Sequence, residues 1–162
     1  MIKAIETEYN GYRFRSRLEA RWAVFFDVLG IKYEYESEGY ELGDLGRYLP
    51  DFWLPDAKWH VEIKPDNVDV SELKRTRYFG DNPPDGSMGC LILCGQPEIP
   101  NYFYRIYPDA PVDINMDNQA IYLAYMATST YFHFLDEQNS LIEAIKVARS
   151  ARFEYGQTPV IK

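Results

Sequence analysis

Leu18, Trp22, Phe25, Phe26 and Leu29 recur at helical spacing and predict an amphipathic helix from Ser16 to Leu29, with Gly30 as its stop. The period then drops to two. Ile31, Tyr33 and Tyr35 alternate with Lys32, Glu34 and Glu36, the pattern of a half-buried strand. Glu38 to Gly46 holds three glycines and predicts a turn-rich connection. Arg47 to Leu54, the turn Pro55 to Lys58 and Trp59 to Lys64 together predict a β-hairpin, which Pro65 ends. Ser71 to Phe79 predicts a short basic helix with Ser71 as its N-cap, and Asp81 to Gly86 is the most loop-like stretch. Gly89 to Gly95 predicts a buried strand and Tyr102 to Tyr107 another. Residues 119–135 are ambiguous; Ile121 to Met126 and Tyr131 to Leu135 suit a second hairpin. Ser140 to Glu154 predicts a last helix, opening on the capping pattern Ser140-Leu-Ile-Glu143. This order, αβββαββ(ββ)α, favours an α/β fold of mixed (α+β) type with a central mixed sheet flanked by helices.

Composition narrows the class. The 162 residues amount to about one domain. With 46% hydrophobic and 26% charged residues, disorder is excluded as the main state. No apolar run approaches the ~18 residues a membrane span needs, and Met1 to Tyr9 carries two Glu and no apolar core, unlike a secretory signal. A cytoplasmic protein is expected. The only cysteines, Cys90 and Cys94, would lie ~13 Å apart along one strand, beyond disulfide reach, and read as core residues.

The net charge of −8, taken alone, argues against tight non-specific nucleic-acid binding. The cations are nevertheless clustered: Arg13, Arg15, Arg17 and Arg21; Lys74, Arg75 and Arg77; Lys146, Arg149 and Arg152. Solvated helix faces explain such clusters unless another feature asks for a polyanion.

The hairpin supplies that feature. With a four-residue turn at Pro55 to Lys58, Leu54 faces Trp59, Trp53 faces His60, Phe52 faces Val61 and Asp51 faces Glu62. Directly opposite side chains share a face with Cβ atoms about 5 Å apart. Lys64 shares that face, while Phe52, Leu54, Val61 and Ile63 take the other. Two opposed carboxylates repel unless neutralised, and a hard divalent cation such as Mg²⁺ does so with oxygen ligands. The bland alternative is a surface hairpin whose Lys64 bridges two exposed acids. Glu19 falls on the apolar arc of the first helix between Trp22 and Phe26. It reads either as the far half of a capping box reaching back to the Ser16 amide or as a third metal-site carboxylate, and the two roles are compatible. His60 shares the acidic face one step nearer the turn and is a candidate for a water network; His133 reads as an ordinary strand residue. Most of the 14 tyrosines read as sheet-face core, with stacking on unpaired bases as the alternative.

Tyr48-Leu-Pro50-Asp51-Phe-Trp-Leu54 followed by Trp59-His-Val-Glu62-Ile63-Lys64-Pro65 resembles the signature of the PD-(D/E)XK nuclease superfamily. Phe14-Arg-Ser-Arg-Leu-Glu19-Ala-Arg-Trp22 is similar to the first helix of that fold, whose acid often joins the metal site. The string is similar to small, mostly phage-encoded endonucleases, over residues ~10–95; Ala148 to Gly156 is also similar to a segment of such phage proteins. The resemblance implies a restriction-endonuclease-like core. It implies that Asp51, Glu62 and the Ile63 carbonyl hold Mg²⁺ or Mn²⁺, that Glu19 completes the site, and that Lys64 positions the nucleophilic water. A single nuclease domain over 1–162 is expected, with a core at about 10–107 and a C-terminal hairpin and helix extension at 108–162.

On that reading Arg13, Arg15, Arg17, Arg21, Lys74, Arg75 and Arg77 are candidate phosphate contacts on DNA. The expected activity is that of a metal-dependent endodeoxyribonuclease. Duplex, single-stranded and branched DNA are all open as substrates, as is a homodimer, since a double-strand break favours two sites and a nick needs one. Two rivals stand beside it: a catalytically idle nuclease fold that binds DNA or protein, and an acidic DNA mimic that captures a host DNA-binding protein.

Overall fold

The computed structural model describes residues 4–65, 70–84, 86–98, 103–106, 108, 113–115, 134–154, 157 and 159. The chain opens with a hairpin that the sequence reading missed, β1 (Thr7–Tyr9) and β2 (Tyr12–Phe14), closed by Asn10 and Gly11 at φ 48° and 80°. Two consecutive positive-φ residues of this type match the twist of the strands they join. Helix α1 (Arg17–Val28) follows, capped at Ser16 as expected, and Gly30 leaves it at φ 68°. Then come β3 (Glu34–Tyr35), β4 (Tyr40–Glu41), a single 3-10 turn at Gly43–Leu45, β5 (Arg47–Tyr48), β6 (Phe52–Leu54) and β7 (Trp59–Lys64). Helix α2 (Val70–Asp81), β8 (Cys90–Cys94), β9 (Phe103–Ile106), β10 (Asp113–Asn115) and α3 (Phe134–Ser150) complete the described elements.

Six strands form one mixed sheet in the order β10-β9-β8-β7-β6-β3. Only β7 and β8 run parallel, and α2 lies in the crossover between them. The other neighbours are antiparallel. Strand alternation divides β7 and β8 between two layers. Trp59, Val61, Ile63, Leu91 and Leu93 join the aromatic face of α1 and the Leu141, Ala144 and Ala148 stripe of α3 in the main core. Ile92, Cys94 and Ile106 meet Leu73 of α2 on the opposite face, and Cys90 meets Phe79 there. Both cysteines are buried and neither forms a disulfide, as the strand pattern predicts. Among the described residues no helix is long and apolar enough to cross a membrane.

Several boundaries differ from the periodicity, each for a local reason. The strand expected over Ile31 to Glu36 shrinks to β3, because the Ile31 amide donates to the Phe26 carbonyl (2.9 Å) and belongs to the helix end. The expected strand Arg47 to Leu54 breaks at Pro50-Asp51: its first half pairs with β4 in a separate two-stranded ribbon, within the stretch read as turn-rich. Pro50 has no amide to give a ladder. Ser71 lies inside α2, so it is not the N-cap. The last helix starts at Phe134, which makes Ser140 interior and converts the end of the expected strand Tyr131 to Leu135 into helix. It stops at Ser150, whose hydroxyl donates to the Lys146 carbonyl (2.8 Å), short of the expected Glu154. Strand β10 had no sequence signal, and the candidate strand Ile121 to Met126 and His133 lie outside the described residues.

At Gly80, α2 lies close against Ile106 of β9. A Cβ built there would meet Ile106 Cγ2 at 2.5 Å, its Cβ at 2.8 Å and its carbonyl oxygen at 3.0 Å. Ile106 is fully buried and stiff at its branched Cβ, so it cannot swing aside. Gly80→Ala is expected to lose up to about 2 kcal/mol in denaturant unfolding, the difference between a clash of roughly 1–3 kcal/mol and a gain in helix propensity of about 1 kcal/mol.

Candidate functional site: the Asp51–Glu62 end of the hairpin

The register of the hairpin is the one the turn length predicts: Leu54 opposite Trp59, Trp53 opposite His60 and Phe52 opposite Val61. Asp51 stands one step beyond the last pair, on the Glu62 side, and its carboxylate closes the ladder. Oδ2 accepts the Ile63 amide at 2.7 Å and Oδ1 accepts Arg15 Nη2 at 2.7 Å. The acid is only 3% exposed. Burial, with the negative charges of Glu62 and Glu19 next in weight, pushes its carboxyl well above the ordinary range, while the Ile63 amide and Arg15 pull the other way.

Glu62 is also buried. Lys64 Nζ sits 2.9 Å from its Oε1, and the Tyr48 hydroxyl donates to Oε2 at 3.1 Å. Glu19 is buried in the first turn of α1. Its Oε1 accepts the Ser16 hydroxyl (2.6 Å), and its Oε2 accepts the Tyr35 hydroxyl (2.6 Å) and the Arg15 amide (3.2 Å). The cap is therefore a variant of the expected box: the Glu19 amide donates to Ser16 Oγ at 3.1 Å, but the side chain reaches the Arg15 amide, not that of Ser16. Burial raises the hydroxyls of Tyr35 and Tyr48, which keeps both protonated and donating.

The structure thus brings Asp51, Glu62, Lys64 and the Ile63 backbone together, with Glu19 close enough to Asp51 for its charge to act there. Hard, buried oxygen donors suit Mg²⁺ or Mn²⁺ in chemistry. Each oxygen of Asp51 and Glu62 nevertheless faces a protein donor. Among the described residues no three His, Cys, Asp or Glu side chains converge tightly enough to chelate a metal as they stand. A cation at Asp51 Oδ1 would compete with Arg15, and one at Glu62 Oε1 with Lys64.

Above the acids lies a groove of about 280 Å³ lined by Glu62 and Tyr48 and by four cations, Arg15, Arg47, Lys64 and Arg75. Of the seven candidate phosphate contacts, Arg15 and Arg75 reach this groove. Arg13 and Arg17 line a separate concavity, paired with Glu6 and with Glu154 (2.6 Å) respectively. Arg21 is partly buried, and burial together with the like charges of Arg17 and Arg149 depresses its guanidinium. Arg77 pairs with Asp81 at 2.6 Å, and Lys74 is exposed. His60 lies on the acidic face, as expected, but is caged: its ring stacks 4.5 Å from Trp53, Nε2 meets the Tyr40 hydroxyl (3.2 Å) and Nδ1 meets Ser87 Oγ (3.1 Å). Burial pushes its pKa down to about 4, so it is neutral near pH 7.

Sequence reasoning missed Tyr35, Tyr48, Glu36 and Arg47. The two tyrosines carried a signal, because a buried phenol needs an acceptor and each faces an acid. No family model matches the chain, and no curated protein or solved structure matches it either.

Proposed function

We propose that the protein is a metal-dependent endodeoxyribonuclease, with the site at the open end of the β6–β7 hairpin. One observation carries the reading: Asp51 and Glu62 share one buried patch, and Lys64 lies on the same face of β7 as Glu62. Two buried acids side by side call for positive charge, which Arg15 and Lys64 supply here and a divalent cation would supply with DNA bound.

A bound Mg²⁺ or Mn²⁺ would supply Lewis-acid polarisation of a phosphoryl oxygen and a water of lowered pKa. Asp51, Glu62 and the Ile63 carbonyl would hold it, with Glu19 behind them. Tyr48 fixes the rotamer of Glu62, and Tyr35 with Ser16 fixes Glu19. Lys64 places an ammonium beside Glu62, where it orients the attacking water and offsets charge developing on phosphorus. Arg47 and Arg75, on the groove wall, contact flanking phosphates.

The test is a panel of linear, circular, single-stranded and branched DNAs with Mg²⁺, Mn²⁺ or EDTA. Cleavage of at least one form with metal and of none with EDTA is the expected result. A second reading, the idle DNA-binding fold, draws on the donors that already satisfy both acids: Arg15, the Ile63 amide, Lys64 and Tyr48. It requires DNA binding that ignores EDTA and yields no product on any form.

A further inference from the structure

We propose that Arg15 is a displaceable counter-ion: in the resting protein its guanidinium closes off Asp51, and when a divalent cation takes that carboxylate the guanidinium turns into the groove, pivoting on Glu36, to hold a DNA phosphate. The inference rests on the metal-site reading above and adds a gate to it.

The geometry of Arg15 differs from that of a surface ion pair. Two different nitrogens engage two different acids, Nη2 on Asp51 Oδ1 at 2.7 Å and Nε on Glu36 Oε1 at 2.5 Å. Losing the first contact need not break the second. The Arg15 side chain is 56% exposed while that of Asp51 is 4% exposed. Arg15 lines the groove and Asp51 does not, so an ion arriving from the groove meets the guanidinium first. A cation bound about 2.1 Å from Oδ1 and a guanidinium on the same oxygen would repel strongly at that range. One must leave.

Only the side chain is free to do so. The Arg15 amide is tied to the Tyr35 hydroxyl (2.9 Å) and to Glu19, which fixes the backbone against α1 and β3. Glu36 is fixed as well. It adopts a left-handed backbone at φ 45°, unusual for a residue with a side chain, and its amide donates to the Asp51 carbonyl at 2.9 Å. A strained residue tied to the main chain of the acid, with its own carboxylate on Arg15, is a built pivot. Arg75 and Lys64 on the groove wall show where a phosphate would meet the released guanidinium.

The experiment is calorimetric titration of Mn²⁺ into the DNA-free full chain, comparing the parent with Arg15→Ala and Arg75→Ala. Removing the competitor for Oδ1 should tighten Mn²⁺ binding about tenfold in Arg15→Ala. Arg75→Ala removes the same charge from the groove without touching Asp51, and should change binding less than about twofold. Equal tightening in both variants would reduce the effect to bulk charge and overturn the gate, as would no tightening in Arg15→Ala. Should the alanine form fail to fold, Arg15→Lys, which keeps the charge and loses the two-acid bridge, is expected to tighten Mn²⁺ binding by a smaller factor. Absence of Mn²⁺ binding in all of these proteins would instead sink the metal reading, and the gate with it. As a second readout, Mn²⁺ should tighten duplex binding in a Lys64→Ala background and lose that effect when Arg15→Ala is added.

Discussion

Asp51→Ala is expected to lower Mg²⁺- or Mn²⁺-dependent cleavage of DNA by at least about 10³-fold, with the fold intact. Losing metal-supplied charge stabilisation forfeits several kcal/mol of the barrier reduction, and each 1.36 kcal/mol is tenfold in rate. Lys64→Ala should cost about 10²–10³-fold in kcat, the scale for removing one donor aimed at developing charge. The isostere Asp51→Asn separates chemistry from stability. Burial and two neighbouring acids raise the Asp51 carboxyl above its unfolded value of 3.8. A raised carboxyl leaves the folded state its full stability below the unfolded pKa and loses it as pH rises from there through the higher folded pKa, so at pH 7 part of that cost has accrued. With EDTA at pH 7, Asp51→Asn should therefore unfold at the same or a higher denaturant concentration than the parent while remaining inactive. Cleavage unchanged by both Asp51→Ala and Lys64→Ala would remove the mechanism.

The largest expected loss of stability is at Phe52, next to Asp51. Its ring is 1% exposed and lies 5.3 Å from Phe26, 5.5 Å from Tyr33, 5.4 Å from Tyr35 and 6.0 Å from Phe14. Phe52→Ala should cost about 3–5 kcal/mol, the usual price of a large cavity. Edge-to-face contacts of roughly 0.5–1.5 kcal/mol each push the value to the upper end, because Phe52 joins β2, α1 and β3 at one point. Equilibrium unfolding in urea, compared by midpoint at constant slope, gives the number. Phe52→Leu should lose less than half as much. A loss under about 1 kcal/mol for the alanine form would mean the aromatic cluster does not close on Phe52 as described.

The hairpin was the most legible part of the chain because turn length, alternation and Pro65 all specify one register. A one-residue slip of β6 against β7 would have moved Phe52 to the acidic face while Val61 stayed in the core. Helix α1 was legible for a similar reason, with five large apolar residues at one spacing and a Ser cap. The ribbon β4–β5 and strand β10 were not, since strands of two or three residues carry too little period to register. The start of α3 at Phe134 was hard to read because Tyr131 to Leu135 is aromatic enough to suit a strand, yet Phe134 and Leu135 are helical. At the site, the acids and Lys64 followed from pairing arithmetic. The partners of those acids did not: Arg15, Tyr35 and Tyr48 arrive from three other segments, and a left-handed Glu36 leaves no trace in composition. The basic window at Arg13 to Arg21 was read as one patch, yet its members point to separate neighbours.

The packing of α1 against α3 bears on how the protein emerges from a ribosome. Ala20, Trp22, Ala23 and Phe25 share one buried cluster with Leu141, Ala144 and Ala148, synthesised on the order of a hundred residues later. At about 5–20 residues per second, the α3-facing side of α1 stays uncovered for roughly 6–25 seconds, a natural landing place for a chaperone. The nascent chain completes its acidic hairpin early, and the part of α1 that packs on α3 is covered only after Leu141 to Ala148 have been made.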